Sequence, residues 1–365
     1  MMKRRCVGLT TVILFVALWL AALGVFHTNA VADDNKVYQW KMVTTWPPKF
    51  PVVDQAITRM ITNIETMSRG RLKIEHHPGG TLIPPMETFE AVRGGMAQMG
   101  SSCSYYWGGK VPEAPIFTTV PYGMTPQERI SWYYNGGGLE LWHELYKDYN
   151  IVPFPMINTG VQMGGWFNKE INKLADLKGL KMRIPGFGGK VMAKAGVNVV
   201  LLPPSEIFVS LERGVIDATD WIAPYHDKRM GLYQAAKYYY YPGWHEPSTV
   251  GELLINKKAW ESLPPDLQTI IKCAAADCYI WSLGEFDSLN GNALKELVDK
   301  HGVIVKKFPE DVLSELKKLS KEVMKKEAAK SPKMKKIYES FDNFRAKSSF
   351  WTKVSTEGFL DARSK

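Results

Sequence analysis

The sequence predicts an α/β protein with two lobes. Its 365 residues exceed the size at which one hydrophobic core usually suffices, so two lobes are expected. Strand-like and helical segments alternate in the first part of the chain, which is typical of mainly parallel sheets covered by helices. The alternation begins again near residue 150, and almost every segment after Lys257 has a helical pattern.

The first lobe is expected mainly within residues 33–157. The helix predicted at 54–68 carries apolar residues at a helical period, at Ile57, Met60 and Ile64. Prolines exclude a helix from the turn at 46–51 that precedes it. The other predicted elements of this part are strands at 37–45, 72–76, 96–101 and 151–156 and a helix at 84–94.

The second lobe is expected mainly within residues 158–256, and residues 257–365 are predicted as a helical segment that bridges the lobes. Gly214 is well suited to end the helix at 204–213, because glycine readily adopts the conformation that follows a helix. The remaining predicted elements are strands at 180–184, 197–201, 216–220 and 248–256, and helices at 188–195, 263–283, 286–300, 310–329 and from 333 to the end.

The first 32 residues have the pattern of an export signal. Positive residues 3–5 precede an apolar run at 7–25, and Ala30-Val31-Ala32 fits a small-x-small cleavage site. An uncleaved anchor is the alternative, because the apolar run approaches the length of about 20 residues that spans a bilayer. The remainder of the chain is expected outside the cytoplasm.

Composition and motifs argue against several functional classes. The net charge is +9, but the lysines near the C-terminus alternate with acidic residues, which indicates a solvated helix face rather than a nucleic-acid surface. The glycine-rich turn at 186–189 matches neither GxGxxG nor a P-loop, so nucleotide binding is not expected. The chain contains no GxSxG, HExxH or EF-hand pattern. Cys103, Cys273 and Cys278 have no metal-binding spacing and are expected to be small core residues.

The candidate binding residues begin in the stretch 178–221. Arg183 ends a predicted strand and can hold a carboxylate with two N–H donors, although a surface salt bridge would also explain it. Asp220 ends another strand and can bind a cation or accept hydrogen bonds. An arginine and an acid at the ends of neighbouring βα units indicate a site for a small anion.

Further polar residues could complete this site. Glu246 ends a strand-like run, and two carboxylates near one arginine leave negative charge that a bound cation would balance; alternatively, Glu246 caps a turn. Gln162 could contact a ligand or face the cleft. Tyr106 could form an apolar wall with a hydroxyl group or simply pack. Near these residues, His226 and His245 are expected to be loop or structural residues.

Several motifs together resemble one known family. KGLKMRIPG at 178–186, LERGVIDATDW at 211–221 and PGWHEP at 242–247 are similar to the extracytoplasmic solute receptors (DctP type) of tripartite ATP-independent periplasmic (TRAP) transporters. The match extends through VYQWKMVTTWPPKFP at 37–51 and NTGVQMGGWFNKEI at 158–171 to the helical end. It is nearest to the branch that binds 2-oxo acids such as pyruvate, or lactate and related monocarboxylates.

The resemblance implies a two-lobed periplasmic binding protein fold with a long connecting helix, a helical C-terminal tail and hinge closure on the ligand. It assigns carboxylate binding to Arg183, with Gln162 and Tyr106 in contact with the same ligand. It places a metal ion on Asp220, the main-chain carbonyl of Trp221, and Glu246. The family pattern has glutamate where this chain has Asp220, which leaves the metal between Na⁺ and Ca²⁺.

Three functions remain open at the level of sequence. The leading one is a periplasmic receptor that delivers a small monocarboxylate to a TRAP membrane permease, without chemistry of its own. Some members of the branch that it resembles exchange a C-terminal helix to form homodimers, and the aromatic residues after Ser331 fit such a dimer. The alternative is a secreted lyase or hydrolase with Asp220 or Glu246 as general base. A carbohydrate-binding module would use the many aromatics but gives Arg183 no role.

Overall fold

The computed structural model describes residues 36–364, and its strands form two mixed sheets. The first sheet has the order β2-β1-β3-β10-β4 and the second the order β11-β9-β5-β8-β6-β7. The strands are β1 Tyr38–Thr44, β2 Leu72–His77, β3 Met99–Ser102, β4 Ile151–Asn158, β5 Gly165–Phe167, β6 Lys181–Arg183, β7 Asn198–Val200, β8 Ala218–Thr219, β9 Tyr238–Tyr241, β10 Val250–Asn256 and β11 Ile304–Lys307. The prediction of a two-lobed α/β protein is confirmed, and the export signal expected at 1–32 lies outside the described residues.

Helices cover both sheets. They are α1 Val53–Met67, α2 Thr88–Arg93, α3 Pro115–Thr118, α4 Pro126–Asn135, α5 Gly138–Tyr146, α6 Gly186–Lys194, α7 Pro204–Glu212, α8 Pro224–Arg229, α9 Leu232–Ala235, α10 Lys257–Glu261, α11 Pro265–Asp299, α12 Glu310–Ala328, α13 Pro332–Thr352 and α14 Gly358–Arg363. Short 3₁₀ turns lie at Pro85–Glu87, Ser104–Trp107, Lys147–Tyr149 and Leu174–Leu177, and a π-helical turn at Lys353–Glu357 joins α13 to α14.

The sheets are less parallel than the sequence predicts. Strands β1, β2 and β3 pair in parallel, but β10 runs antiparallel to both β3 and β4. In the second sheet β5 runs antiparallel to both of its neighbours, β8 and β9. Both exceptions are strands that enter a sheet directly from the other lobe, so they lack the helical crossover that makes neighbouring strands parallel.

As far as β11 the chain crosses between the lobes three times, and a fourth crossing follows between α12, which contacts α6 of the second lobe, and α13, which contacts α4 and α5 of the first. The first crossing leads from β4 to β5, the second from β9 to β10, and the third follows α11 from the first sheet towards β11 in the second. The first two crossings lie side by side, because the main-chain N–H of Gln162 donates to the carbonyl of Glu246 and that of Thr159 donates to the carbonyl of Thr249. Polar residues of the candidate site therefore lie on segments that join the lobes.

The connecting helix α11 is one helix of 35 residues, where the sequence predicts two helices with a break at 284–285. A single glycine costs a helix only about 1 kcal/mol, and Gly284 is exposed with no neighbouring atoms to oppose the helical backbone. Packing compensates for this cost, because α11 contacts α1 and β4 of the first lobe and α8 of the second.

The hydrophobic core is continuous across the two lobes. One buried cluster joins residues of the first lobe, such as Met42 and Trp46, to residues of the second lobe, such as Trp166 and Tyr239. From Tyr38 onward the chain forms one compact unit. Among residues 36–364, no helix combines the length and the apolar character needed to cross a membrane. Cys103 and Cys278 are buried as expected, whereas Cys273 is exposed on α11, which corrects the prediction for that residue.

Candidate functional site

A small cavity lies between the two lobes. Its volume is about 30 Å³. Residues of both lobes and of both strand crossings line it: Trp46, Val53, Cys103, Tyr105, Tyr106, Ile157, Thr159, Gln162, Arg183, Trp221, Ile222, Thr249 and Gly251. Three of the predicted ligand-binding residues, Tyr106, Gln162 and Arg183, are therefore brought together at one cavity.

Arg183 is the central cation of this cavity. It ends β6 and is buried, and its Nη1 atom donates to Asp220 Oδ1 at 2.9 Å. Its Nη2 atom donates to the hydroxyl of Tyr106 at 3.3 Å, across the two lobes. Burial by itself lowers the pKa of Arg183, but the neighbouring Asp220 raises it above the ordinary value, so the guanidinium stays charged. The surface salt bridge that could also explain this residue is excluded by its burial.

Asp220, His245 and Glu246 form a buried cluster beside the arginine. One potential ligand atom from each residue lies within 4.8 Å of the others. His245 Nε2 lies 3.3 Å from Asp220 Oδ2, and the hydroxyl of Thr249 donates to the Glu246 carboxylate. Asp220 follows β8, whereas His245 and Glu246 lie on the crossing from β9 to β10. The cluster thus combines the second sheet with a segment that leads to the first.

The cluster carries more negative than positive charge. Burial and the nearby Asp220 raise the pKa of Glu246 to about 7. A positive charge placed between the two carboxylates would stabilise the ionised form of Glu246. Asp220, Glu246 and Arg183 sum to a net charge of −1 when all three are ionised, which favours a cation as a further occupant.

Two oxygen atoms near the cluster have no hydrogen-bond donor among residues 36–364. Gln162 donates through Nε2 to Thr159 at 3.0 Å, but its buried Oε1 atom has no partner. The main-chain carbonyl of Trp221 likewise accepts no hydrogen bond. Carboxylate, amide and carbonyl oxygens are the ligands preferred by Na⁺ and Ca²⁺. The donor set therefore fits a hard cation.

Sequence reasoning missed part of this arrangement. His245 was expected to be a loop or structural residue, yet it contacts the Asp220 carboxylate; its position directly before Glu246 was the available signal. The apolar wall formed by Trp46, Val53 and Ile157 was also missed. These residues have ordinary core patterns, and nothing in their local sequence distinguishes a cavity wall from a core.

The geometry is suited to holding a small anion rather than transforming it. Arg183 offers a two-pronged donor, the oxygen cluster offers a cation site, and apolar side chains exclude water. The Cys103 thiol in the cavity wall is a poor nucleophile, because burial raises its pKa well above the ordinary value.

Comparison with known proteins supplies the family. Residues 42–331 match the family model described as bacterial extracellular solute-binding protein, family 7 (DctP). This chain belongs to that family. As a family 7 protein it is a solute-binding receptor and not an enzyme, which removes the lyase or hydrolase alternative.

This family 7 receptor is similar to proteins whose ligands are known. It is 38% identical over 354 residues, 97% of either chain, to a monocarboxylate 2-oxoacid-binding periplasmic protein of Nostoc sp.. A TRAP periplasmic solute-binding protein from Pseudoalteromonas atlantica, solved with bound sodium and pyruvate, superposes with a TM-score of 0.87 at 42% identity, over 89% of this chain and 99% of that one. A TRAP periplasmic solute-binding protein from Colwellia psychrerythraea, solved with bound calcium and pyruvate, also superposes with a TM-score of 0.87. It is 41% identical, and the match covers 90% of this chain and 100% of that one. The predicted binding-protein fold is confirmed.

Proposed function

We propose that this receptor captures a small 2-oxo monocarboxylate such as pyruvate, or the related lactate, together with a cation. The observation that carries the proposal is the buried Arg183 beside two carboxylates in a cavity of small volume. The similar proteins from Pseudoalteromonas and Colwellia, with pyruvate beside sodium or calcium, support the same ligand class.

Arg183 would hold the ligand carboxylate. Its guanidinium stays charged and presents N–H groups to the cavity, and Tyr106 reaches it from the opposite lobe. Gln162 would contact the same ligand from the first crossing. The apolar wall opposite would accept the short carbon chain.

Asp220, the Trp221 carbonyl and Glu246 would hold the cation. The Asp220 carboxylate lies within 4.8 Å of a Glu246 oxygen, so the shorter side chain at 220 would still share a cation with Glu246. Bound there, Na⁺ or Ca²⁺ would neutralise buried carboxylate charge and attract the ligand anion. His245 would orient the Asp220 carboxylate through the contact of its Nε2 atom with Asp220 Oδ2 at 3.3 Å.

The receptor would deliver its ligand to the membrane permease of a TRAP transporter, from the periplasm. The Nostoc relative is a periplasmic protein, and family 7 proteins are extracellular. Residues 1–32 would serve as the export signal. We do not expect a nucleic acid as a partner, because lysines on α12 pair with acidic neighbours, for example Lys318 with Glu315.

A homodimer formed through the C-terminal tail is part of the proposal. Phe350 and Trp351 are 77% and 68% exposed, and Val354 and Phe359 extend the same apolar surface onto the last turns. Exposed apolar patches of this kind mark interaction sites. Replacing Phe350 and Trp351 by serine should convert a dimer into a monomer in light scattering, with ligand affinity unchanged; a wild-type monomer would contradict this part.

A ligand panel tests the main proposal. Thermal melting of the mature protein with pyruvate, lactate, longer 2-oxo acids and neutral sugars, with and without Na⁺ or Ca²⁺, should give the largest rise with a short monocarboxylate plus cation, because binding stabilises the native state. Recovered ligand should be chemically unchanged after prolonged incubation. No rise with any acid, at any cation concentration, would refute the proposal.

A further inference from the structure

The turn between β1 and α1 has an unusual backbone. Lys49 and Val52 have φ angles of 57° and 60°, a region that side chains with a Cβ seldom adopt and that β-branched valine strongly avoids. Such conformations persist only where surrounding contacts hold them. Phe50 lies between these two residues and is buried.

Phe50 packs against the second lobe. Its ring centroid lies 4.2 Å from that of His226 and 5.8 Å from that of Trp221, both in edge-on geometry. On its other side it stacks on Trp46 of its own lobe at 6.0 Å. Phe50, Trp221 and His226 are all buried, although the first comes from the turn after β1 and the others follow β8.

His226 in turn fixes the Trp221 indole. Trp221 Nε1 donates to His226 Nδ1 at 2.9 Å, and since an indole N–H can only donate, Nδ1 carries no proton. The same indole lies 5.2 Å from the Arg183 guanidinium carbon, a distance at which a cation is attracted to an aromatic face. Three contacts therefore hold the Trp221 indole: the hydrogen bond to His226, the Arg183 guanidinium, and the Phe50 ring of the opposite lobe.

We propose that Phe50, Trp221 and His226 form an interlobe clasp that holds the closed receptor. Phe50 and His226 do not line the cavity, so they are positioning residues. The inference rests on the proposed function, because the clasp would determine how long the captured ligand stays bound in the cavity.

The clasp predicts a specific kinetic change. Release requires the lobes to separate and so requires Phe50 to leave His226 and Trp221, whereas capture by the open receptor does not involve these contacts. Weakening the clasp should therefore speed dissociation and leave association nearly unchanged. A residue that acted only through overall stability would not raise the dissociation rate while leaving the association rate unchanged.

The test uses stopped-flow binding of pyruvate to the mature protein in saturating Ca²⁺. We expect Phe50→Leu and His226→Leu to raise the dissociation rate by about tenfold with less than about a twofold change in the association rate. His226→Asn, which retains an acceptor near the Nδ1 position, should restore most of the wild-type dissociation rate. Phe89→Leu is the matched control, because Phe89 is equally buried but stacks on Trp107 in the separate core of the first lobe.

Wild-type dissociation rates in Phe50→Leu and His226→Leu would overturn the clasp while leaving the proposed function intact. An equal increase in Phe89→Leu would also overturn it, because loss of stability would then explain the effect. If the wild type binds no acid, the proposed function fails, and small-angle scattering of the ligand-free proteins still tests the clasp. Phe50→Leu should then have a larger radius of gyration than the wild type, and equal radii would refute the clasp.

Discussion

At the scale of single residues, Arg183 dominates the site because it is buried, charged and linked to both lobes. Arg183→Lys retains the positive charge beside Asp220 but loses the two-pronged donor geometry and the contact with Tyr106. We expect pyruvate affinity to fall by roughly 1.5–3 kcal/mol, about ten- to a hundredfold, in titration calorimetry. Alanine would be a poorer test, because an unpaired buried Asp220 would cost about 3–5 kcal/mol of stability.

The matched control for this variant is Arg59→Lys. Arg59 also pairs with an aspartate, Asp277, but both side chains are about two-fifths exposed and neither lines the cavity. Its replacement should leave pyruvate affinity unchanged. An affinity of Arg183→Lys within twofold of the wild type would show that the arginine does not hold the ligand carboxylate.

Asp227 is a second residue whose role can be measured, through the free energy of unfolding rather than through ligand binding. Its carboxylate accepts hydrogen bonds from Trp166 Nε1 and the hydroxyl of Tyr239, each at 2.8 Å, and from the main-chain N–H of Ile222 at 3.1 Å. Burial outweighs these donors and raises the pKa of Asp227 to about 7. The folded state therefore binds this proton more tightly than the unfolded state does.

The sign of the pH dependence follows from that difference. The stabilising contribution of protonated Asp227 is complete below about pH 4 and is lost as the pH rises to about 7, by up to roughly 4 kcal/mol. Asp227→Asn cannot ionise, so its free energy of unfolding relative to the wild type should increase over this interval. Urea unfolding of both proteins at about pH 4.5 and pH 7.5 measures the change, and a difference independent of pH would contradict it.

The sequence predicts some site residues better than others, for physical reasons. Arg183 ends one short strand and Asp220 follows another in an alternating pattern, which places both at the carboxyl ends of strands. Glu246 and His245 sit on an irregular crossing, where no periodicity indicates direction. The role of Glu246 came from charge balance and family resemblance, and the contact of His245 with Asp220 depends on folding across 25 residues.

At the scale of elements, the connecting helix α11 offers a clean test of local propensity. Gly284 lies in its interior, exposed, and a Cβ added there would meet no atom within 4 Å. Gly284→Ala should therefore raise the free energy of unfolding by about 0.5–1 kcal/mol, because alanine loses less backbone entropy in a helix. Chemical denaturation measures the gain.

Gly165 at the start of β5 is the contrasting control. It has a φ angle of +113°, and an added Cβ would lie 2.7 Å from the carbonyl oxygen of Thr219. Gly165→Ala should therefore destabilise the protein. A loss of stability in Gly284→Ala would show that α11 needs flexibility at this point, as a hinge would.

Regular amphipathic patterns predicted the bounds of elements closely, whereas some short strands were not predicted. Helix α1 begins and ends one residue before its predicted bounds, and strand β2 begins where predicted and ends one residue later, because amphipathic periodicity and a glycine stop mark them. Strands β5 and β11 have three and four residues, too few for a period to appear. Their strand state depends on pairing with β9, which neither segment encodes locally.

At the scale of the whole molecule, two lobes follow from length and alternation, but their closed arrangement does not. Closure depends on contacts such as Tyr106 with Arg183 and Phe50 with His226, which are separated by 77 residues or more. Neither partner of such a pair carries a local signal of the other. Closure also brings buried charges together, so the occupants of the cleft must satisfy a charge balance.

That balance predicts which cation the closed receptor prefers. Arg183, Asp220 and Glu246 together carry −1, and a bound monocarboxylate brings the cleft to −2. Ca²⁺ would restore neutrality, whereas Na⁺ would leave one uncompensated negative charge in a buried site. We expect Ca²⁺ to support pyruvate binding at a concentration at least about a hundredfold lower than Na⁺ requires, consistent with about 3 kcal/mol for one buried charge.

Titration calorimetry on chelator-treated protein decides this, with choline chloride to hold ionic strength constant. Pyruvate should bind weakly without Na⁺ or Ca²⁺, and by linkage the factor by which Ca²⁺ raises pyruvate affinity must equal the factor by which pyruvate raises Ca²⁺ affinity. Glu246→Gln removes one negative charge and should narrow the advantage of Ca²⁺ over Na⁺. Equal potency of the two ions in the wild type would mean that Glu246 keeps its proton in the closed cleft, because a neutral Glu246 makes the loaded site balanced with Na⁺.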